Sequence, residues 1–298
     1  MAMEPNYAPD PGDWVCARCQ CPLEQVKVQV GYLGSAFDVS LPRCPSCGLT
    51  MIPKSLADGS GSPVGRQMIP QHQEEPLYQR ELFRLASADC LRPGGVELTE
   101  RGLAHCAFGV GVRVADLGCG PGVTLALLAE RGLSPVGMDR SAAMLQEAER
   151  RLSEVPLLAG TLEDLPLRDA CMDGIVCECV LSLSSTPERA LGEMGRVLRP
   201  GGRLLLTDIV VREGSHGAGG QGCARGAVPA DVVAERLARQ GFRILASEDH
   251  SRLLGELAGR LLFQGVPRSA LLAWMGACPG SGDSACSGKR FGYWMFVA

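Results

Sequence analysis

The chain has 298 residues, of which 46% are hydrophobic and 21% are charged, and its formal net charge is −4. This composition is too apolar for a disordered chain and allows a full hydrophobic core. The small negative charge gives no broad positive field, which disfavours nucleic acid and anionic lipid surfaces as partners. A globular protein of enzyme size is therefore expected.

The amino-terminal stretch MAMEPNYAPDPGDW has neither a basic start nor an apolar centre. No run of about 18 uncharged apolar residues follows it, so the sequence predicts no membrane span. We therefore expect a soluble cytoplasmic protein. Because thiols stay reduced in the cytoplasm, the fourteen cysteines indicate metal, redox or soft-ligand chemistry rather than a disulfide framework.

Two cysteine pairs lie near the amino terminus, in CARC at Cys16 and Cys19 and in CPSC at Cys44 and Cys47. The segments VKVQVGYLG and AFDVSLPR between them have the pattern of a hairpin. Four thiolates at two such turns are typical of a tetrahedral zinc site, or of rubredoxin-type iron. About 50 residues form too small a core to be stable alone, so a metal would supply much of the folding free energy. Residues 12–57 are predicted to be this zinc-ribbon or rubredoxin-like module.

Three roles stay open for this amino-terminal module. The four cysteines can form a structural zinc site, an iron site for electron transfer, or a reversible dithiol. Cys21, two residues after Cys19, leaves the second ligand of the first pair ambiguous.

A Gly-, Ser-, Pro- and Gln-rich stretch at residues 58–75 is predicted to be a linker. Residues 76–298 then form the large domain, which begins with helical spacing in LYQRELFRLASADCL. Further on, strand-like and helix-like segments alternate, which predicts an α/β fold with a mostly parallel sheet covered on both faces. The strand-like segments are VRVADL, SPVGMD, GIVCEC, GRLLLTDIV, FRILASED and YWMFVA.

A glycine-rich loop follows the first of these strands and precedes a helix. Its glycines let the backbone approach a ligand, and the helix amino terminus offers free N–H groups. Asp139 ends the next strand, where a carboxylate accepts the hydroxyls of a ribose. Asp116 precedes the glycines, where it would repel a pyrophosphate but suits the ammonium of an amino acid. The two acids thus favour an adenosine that carries an amino acid over a dinucleotide.

The motifs DLGCGPG, VGMDRSAAML, AGTLEDLPL and VLRPGGRLLLTDIV, with GF before the sixth strand, resemble those of a known family. The chain from about Leu98 to Ala298 is similar to the Rossmann-like class I methyltransferases (methyltransferase type 11), which use S-adenosyl-L-methionine. The similarity is greatest to the branch of ubiquinone/menaquinone biosynthesis and arsenite methylation. It implies a seven-stranded sheet whose last strand is antiparallel.

The resemblance also implies which residues bind S-adenosyl-L-methionine. The glycine loop contacts the methionine part, Asp139 the ribose, and Thr161 with Leu162 the adenine. The family often has Asp where Thr161 stands, and Glu163 could supply that carboxylate instead. The predicted cofactor-binding residues are Asp116, Gly118, Cys119, Gly120, Gly122, Asp139, Arg140, Thr161, Leu162 and Glu178.

The acceptor side of the reaction is predicted from Glu178, Cys179 and Cys223. Glu178 either balances the sulfonium charge or acts as a general base. Cys179 and Cys223 match cysteines of the arsenite branch and would present a soft acceptor to the methyl group. A third thiol of that branch is missing, since residues 123–125 are Val-Thr-Leu. The alternative is that these cysteines, like Cys177, pack as small apolar side chains.

The predicted function is methyl transfer from S-adenosyl-L-methionine to a small, soft acceptor, with quinone-like metabolites as an alternative. A ribosomal RNA methyltransferase with an RNA-binding ribbon is disfavoured, because residues 1–75 carry five basic and eight acidic side chains, 5 − 8 = −3. A non-enzymatic metal carrier is a third class. Cys278 and Cys286 are either a redox or metal-delivery pair or simply part of a loop.

Overall fold

The computed structural model describes residues 15–16, 19–32, 35–48, 84, 87, 90–213, 224–263 and 290–298. By its contacts the chain divides into two compact units, one built mainly from residues 8–76 and the other from most of residues 77–298. The predicted linker lies outside the described residues, and so does most of the predicted helix from Leu77, of which Arg84 is described and helical. The boundaries 12–57, 58–75 and 76–298 therefore stay a prediction.

The smaller unit contains a β-hairpin of β1 (Glu24–Tyr32) and β2 (Ser35–Arg43). The strands pair antiparallel without a register shift, from Glu24 opposite Arg43 to Tyr32 opposite Ser35. The described apolar cluster of this unit consists of Cys16, Leu23 and Cys44, with Cys19 and Cys21 packed against it. Four of the five residues in this described cluster are thus cysteines.

The larger unit contains the mostly parallel sheet that the alternating pattern predicted, with the seven strands that the family resemblance implied. Strand order is β5-β4-β3-β6-β7-β9-β8, and β9 is antiparallel to both neighbours, whereas the strands from β5 to β7 are parallel. The last strand of the chain is therefore antiparallel, as predicted, and it lies between β7 and β8. The strands are β3 (Arg113–Leu117), β4 (Ser134–Asp139), β5 (Leu157–Ala159), β6 (Met172–Glu178), β7 (Leu198–Glu213), β8 (Ala246–Asp249) and β9 (Arg290–Val297).

Six α-helices accompany this sheet in the described ranges, and none of them is long and apolar enough to cross a membrane. Strands β3 and β6 are buried along nearly their whole length, as expected for parallel strands whose faces are covered by helices. The helices are α1 (Gly95–Cys106), α2 (Val123–Glu130), α3 (Ala142–Arg151), α4 (Pro187–Val197), α5 (Ala230–Arg239) and α6 (Ser251–Phe263).

Two segments differ from the predicted pattern. Helix α1 was not predicted, because its buried face includes the polar Thr99 and the small Gly102 and therefore lacks a clear apolar stripe. A β-carbon at Gly102 would lie 2.3 Å from Leu205 Cδ1, so the helix packs directly on β7. The predicted strand FRILASED is shorter than expected. The Phe242 amide donates to the Leu237 carbonyl at the end of α5, and β8 begins only at Ala246.

Candidate functional site

A cavity of about 170 Å³ lies at the carboxyl ends of β3, β4 and β6. This is the edge where open parallel sheets hold their ligands. Every predicted cofactor-binding residue except Gly122 lines the cavity. The fold therefore brings together side chains that are widely separated in the sequence.

The glycine loop needs glycine for both conformation and space. Gly118, Gly120 and Gly122 have positive φ angles of 79°, 52° and 83°. A β-carbon at Gly118 would lie 2.4 Å from Val180 Cγ2, and one at Gly122 would lie 3.1 Å from Ala148 Cβ. Gly122 therefore faces helix α3 and begins α2, while the loop before it lines the cavity.

Asp139 joins the end of β4 to the glycine loop. Its Oδ2 accepts a hydrogen bond from the Gly120 amide at 3.0 Å, and its Oδ1 accepts one from the Ser141 amide at 2.8 Å. Burial raises the pKa of Asp139, and these two amides act in the opposite direction. Because each carboxylate oxygen has a second lone pair, both can still accept a ribose hydroxyl. Arg140 is exposed at the rim of the same cavity.

The far end of the cavity is formed by residues 161–163. Leu162 is buried and lines the cavity, whereas Thr161 is exposed and forms an isolated bridge with Asp164. Glu163 Oε1 accepts a hydrogen bond from Ser184 Oγ at 2.5 Å, which fixes the carboxylate at the cavity wall. That Glu163 replaces the family carboxylate at Thr161 stays a prediction.

Asp116 ends β3 and is only 3% exposed. Among the described residues its Oδ2 has no hydrogen-bond partner. Burial, and next the Glu178 carboxylate, raise the pKa of Asp116 well above its usual value. An ammonium group would donate to this oxygen and restore the charged form. The residues at this place therefore fit the amino-acid end of S-adenosyl-L-methionine.

Glu178 is held by a buried polar network. Its Oε1 accepts from Thr99 Oγ1 at 2.8 Å, and its Oε2 accepts from Thr124 Oγ1 at 2.9 Å and pairs with Arg92 Nη2 at 2.8 Å. Both carboxylate oxygens are thus engaged within the protein. This geometry favours an electrostatic role for Glu178 over proton abstraction from an acceptor.

Arg92, Thr99 and Cys90 are site residues that the sequence did not reveal. Cys90 and Arg92 line the cavity, and Thr99 reaches Glu178 from the unpredicted helix α1. A single arginine before Pro-Gly-Gly has the pattern of an exposed turn. Its burial, to 5% exposure, depends on a partner 86 positions later in the chain, Glu178, 178 − 92 = 86.

The predicted acceptor cysteines have different positions. Cys179 follows β6, lines the cavity and has φ of +61°, a conformation that non-glycine residues rarely adopt. Its amide donates to the Thr207 carbonyl at 2.7 Å, which holds the turn in place. Cys177 is fully buried, and burial raises its pKa well above the usual value, as expected for a packing residue. Cys223, Cys278 and Cys286 lie outside the described residues.

The four-cysteine cluster has the geometry of a candidate metal centre. The Sγ atoms of Cys16, Cys19, Cys44 and Cys47 all lie within 4.8 Å of one another. Burial opposes ionisation of Cys44, but hydrogen bonds from the Cys47 amide and from neighbouring thiols lower its pKa to about 6. A thiolate is the form that binds metal. Cys21 Sγ lies 3.4 Å from Cys44 Sγ, so the structure also places a fifth thiol beside the cluster.

Two known protein families match separate parts of the chain. Residues 115–206 match a methyltransferase domain family, and residues 12–68 match a domain of unknown function. The demethylmenaquinone methyltransferase of Renibacterium salmoninarum is 36% identical over 99 residues, 33% of this chain and 42% of that protein. The malonyl-[acyl-carrier protein] O-methyltransferase of Serratia marcescens is 34% identical over 124 residues, 42% of this chain and 47% of that protein. The chain thus spans less than half the length of these relatives.

Solved structures show the same fold. The [4+2]-cyclase SpnF superposes with a TM-score of 0.55 and 25% identity, over 67% of this chain and 79% of that chain. The phosphoethanolamine N-methyltransferase 2 of Haemonchus contortus, solved with S-adenosyl-L-methionine, superposes with a TM-score of 0.55 and 18% identity. The match covers 73% of this chain and 55% of that chain. A cyclase and a methyltransferase share this architecture, so the fold alone does not fix the activity. Residues 115–206 therefore match a methyltransferase domain family and lie within a seven-stranded Rossmann-like methyltransferase fold.

Proposed function

We propose that the protein transfers a methyl group from S-adenosyl-L-methionine to a small acceptor. The observation that carries this proposal is buried Asp116, whose Oδ2 has no hydrogen-bond partner in the part of the chain that the structure describes and which lines the same cavity as the glycine loop and Asp139. A ligand that has an ammonium group at one end and a ribose further along satisfies both acids. A dinucleotide pyrophosphate would instead meet the Asp116 carboxylate.

The residues of the cavity have separate tasks in this reaction. When bound, the cofactor supplies a methyl group on a positively charged sulfur. Asp116 holds the ammonium, the loop from Gly118 to Gly120 admits the ligand backbone, and Asp139 orients the ribose. Glu178 contributes a buried negative charge near the cavity, although Arg92 largely balances it. The acceptor then approaches from the side of Cys179.

A soft acceptor such as trivalent arsenic is the first candidate for the substrate. Cys179 supports it, because this residue follows β6 directly and lines the cavity. The second thiol, Cys223, lies in a segment outside the described residues. A quinone-like acceptor is the second candidate, and it is supported by the matches to demethylmenaquinone methyltransferases.

Cofactor binding tests the core of the proposal. Calorimetry with S-adenosylhomocysteine should give a dissociation constant in the micromolar to millimolar range for the wild type, and Asp139→Ala should weaken it at least about tenfold. Glu188→Ala, an acid in an exposed ion pair on helix α4, is the matched control and should bind as the wild type does. A wild type without affinity, or unchanged affinity in Asp139→Ala, would contradict the assignment.

The acceptor is tested by offering trivalent arsenic, quinone precursors and RNA in parallel and detecting methylated products. If two thiolates hold arsenic, Cys179→Ser or Cys223→Ser should each abolish most of its binding, because chelation makes the second bond intramolecular. Cofactor affinity should stay unchanged in both variants. If both variants methylate the acceptor identified in this screen as fast as the wild type does, the two cysteines only pack in the structure.

We further propose that the smaller unit holds one zinc or iron ion through Cys16, Cys19, Cys44 and Cys47. The clustering of four sulfur atoms within 4.8 Å supports this assignment. Elemental analysis should find about one metal ion per chain and much less in Cys44→Ser. Cys21→Ser is the matched control. Normal metal content in this variant would assign the ligand role to Cys19, and loss of the metal would assign it to Cys21.

A further inference from the structure

Five cysteine thiols, rather than four, lie together in the smaller unit. Besides the four candidate metal ligands there is Cys21, whose Sγ lies 3.4 Å from Cys44 Sγ and 3.6 Å from Ser46 Oγ. A tetrahedral zinc or iron site takes four thiolates. Whichever four cysteines bind the metal, one thiol therefore stays uncoordinated beside them.

The backbone around the two cysteine pairs indicates which thiol this is. The Gln20 amide donates to the Cys16 carbonyl at 2.8 Å, and the Gly48 amide donates to the Cys44 carbonyl at 3.0 Å. Gln20 and Gly48 both have positive φ angles, of 54° and 74°. Each cysteine pair is thus followed by the same turn, and the two pairs correspond to each other ligand for ligand. Cys21 comes after the first turn, outside this repeat, so it is the thiol that the metal does not need.

The backbone also holds Cys21 beside Cys44. The Cys21 carbonyl accepts a hydrogen bond from the Cys16 amide at 2.8 Å, and Val15 and Pro22 form an isolated bridge. A disulfide requires the two sulfur atoms to move only about 1.4 Å closer, from 3.4 Å to a bond of about 2.0 Å. Cys21 is half-buried, whereas Cys44 is only 1% exposed. The extra thiol is therefore the one that a small oxidant in solution reaches first, and the ligand beside it is protected.

We propose that Cys21 is an oxidation site, which forms a disulfide with Cys44 and thereby releases the metal of the smaller unit. This inference rests on the proposed metal site. Hydrogen peroxide is the oxidant. The Cys21 thiol attacks it, the O–O bond breaks, and the products are a sulfenic acid and water. The Cys44 thiolate then attacks the sulfenic sulfur, an S–S bond forms, and the sulfenic oxygen leaves as a second water molecule with a proton from solvent.

The electrons and the ligands balance in this reaction. The two sulfur atoms lose two electrons in total, and one molecule of hydrogen peroxide is reduced to two molecules of water. The disulfide removes one of the four thiolates, so the metal keeps only three ligands and dissociates. Because a small metal-binding unit depends on the metal for its fold, oxidation should also open this unit. A thiol reductant reverses the disulfide and makes the site available again.

The test follows zinc release from the reduced, zinc-loaded, full-length protein on addition of hydrogen peroxide, with a chromophoric zinc chelator. The wild type should release about one zinc ion per chain. Fragmentation of the linked peptides by mass spectrometry should place the new disulfide between Cys21 and Cys44. Cys21→Ser should bind zinc as the wild type does and release it at least about tenfold more slowly. Cys106→Ala removes a buried thiol of the larger unit and is the matched control, which should release zinc as fast as the wild type does.

The outcomes separate this inference from the proposed metal site. Equally fast release from Cys21→Ser, or a disulfide between two of the four candidate ligands, would overturn the inference and leave the metal site intact. If Cys21→Ser binds no zinc before oxidation, Cys21 is itself a ligand, and the inference is wrong. If the wild type binds no metal, the proposed metal site fails, and this inference fails with it.

Discussion

The two units of the protein bury very different kinds of side chain. In the smaller unit the described cluster is Cys16, Leu23 and Cys44, so two of its three buried members are thiols. In the larger unit a continuous cluster of aliphatic and aromatic residues joins helix α1 to strands β3, β6, β7 and β9. A small unit lacks the apolar area that stabilises a large one, and metal binding can replace that contribution.

The larger core has a further consequence for the site. A unit with enough apolar burial can tolerate groups that are costly to bury. The ion pair of Arg92 with Glu178 and the unpaired oxygen of Asp116 are of this kind. The larger unit therefore keeps polar groups in a fixed arrangement before any ligand is bound, whereas we expect the smaller unit to depend on its metal for order.

Removal of the metal is the strongest test of this contrast. A chelator should unfold the smaller unit, because its thiolates would lose their common ligand, and it should leave the sheet folded. Hydrogen exchange on the full chain should show lost protection in β1 and β2 and unchanged protection in β3 and β6. Adding zinc or iron back is the control and should restore the protection. Unchanged exchange in the hairpin after complete metal removal would show that it folds without metal.

Breaking the buried ion pair should have the next largest effect. Glu178→Ala leaves the Arg92 guanidinium buried without its partner, and we expect the free energy of unfolding to fall by about 3–5 kcal/mol. The control is Glu188→Ala, whose ion pair with Arg236 is exposed and should contribute no more than about 1 kcal/mol. Urea titration measures both variants. If Glu178→Ala and Glu188→Ala lower the free energy of unfolding by similar amounts, the buried ion pair stabilises the protein no more than the surface pair does.

Removing the charge of Asp116 should stabilise the ligand-free protein. Because the pKa of Asp116 is raised in the folded state, the folded protein keeps a proton that the unfolded chain releases above its ordinary pKa of 3.8. The free energy of unfolding of the wild type therefore falls as the pH rises above 3.8. It falls less in Asp116→Asn, because the amide does not ionise. We expect the variant to be more stable by about 1 kcal/mol at neutral pH.

The measurement for Asp116→Asn is urea unfolding between pH 5 and pH 8, with cofactor affinity determined in parallel. The stability difference from the wild type should grow with pH, while the affinity for S-adenosylhomocysteine falls. A variant that is less stable than the wild type at every pH would show that the carboxylate has a structural partner.

The smallest expected effect concerns a surface network at Glu248. This carboxylate accepts hydrogen bonds from Arg101 at 2.5 Å and, depending on the tautomers, from His105 at 3.0 Å and His250 at 2.9 Å. The pKa of Glu248 is lowered from 4.5 to about 2, mainly because the Arg101 guanidinium donates a hydrogen bond to it. Glu248→Gln should therefore cost at most about 1 kcal/mol at neutral pH. The difference in the free energy of unfolding between the wild type and Glu248→Gln should shrink as the pH falls from 4.5 towards 2. A difference that persists at the lower pH would show that packing, rather than charge, causes it.

Local patterns in the sequence were sufficient for several parts of the site. The glycine loop, Asp139 and the two cysteine pairs depend on residues that are adjacent in the chain. The spacing of these residues specifies a turn, a strand end or a metal knuckle without reference to distant segments. The alternation of strands and helices in the larger domain likewise predicted a mostly parallel sheet, since period and order are properties of the sequence.

Other features were decided only by the tertiary structure. Glu178 was open to two roles in the sequence, and it is Arg92, Thr99 and Thr124 that surround its carboxylate. Thr99 is 79 positions away from Glu178, so no local pattern relates them. The unpaired atoms of Asp116 and Arg92 are also invisible in the sequence. Whether a buried atom has a partner depends on every segment that packs around it, and only the folded chain brings those segments together.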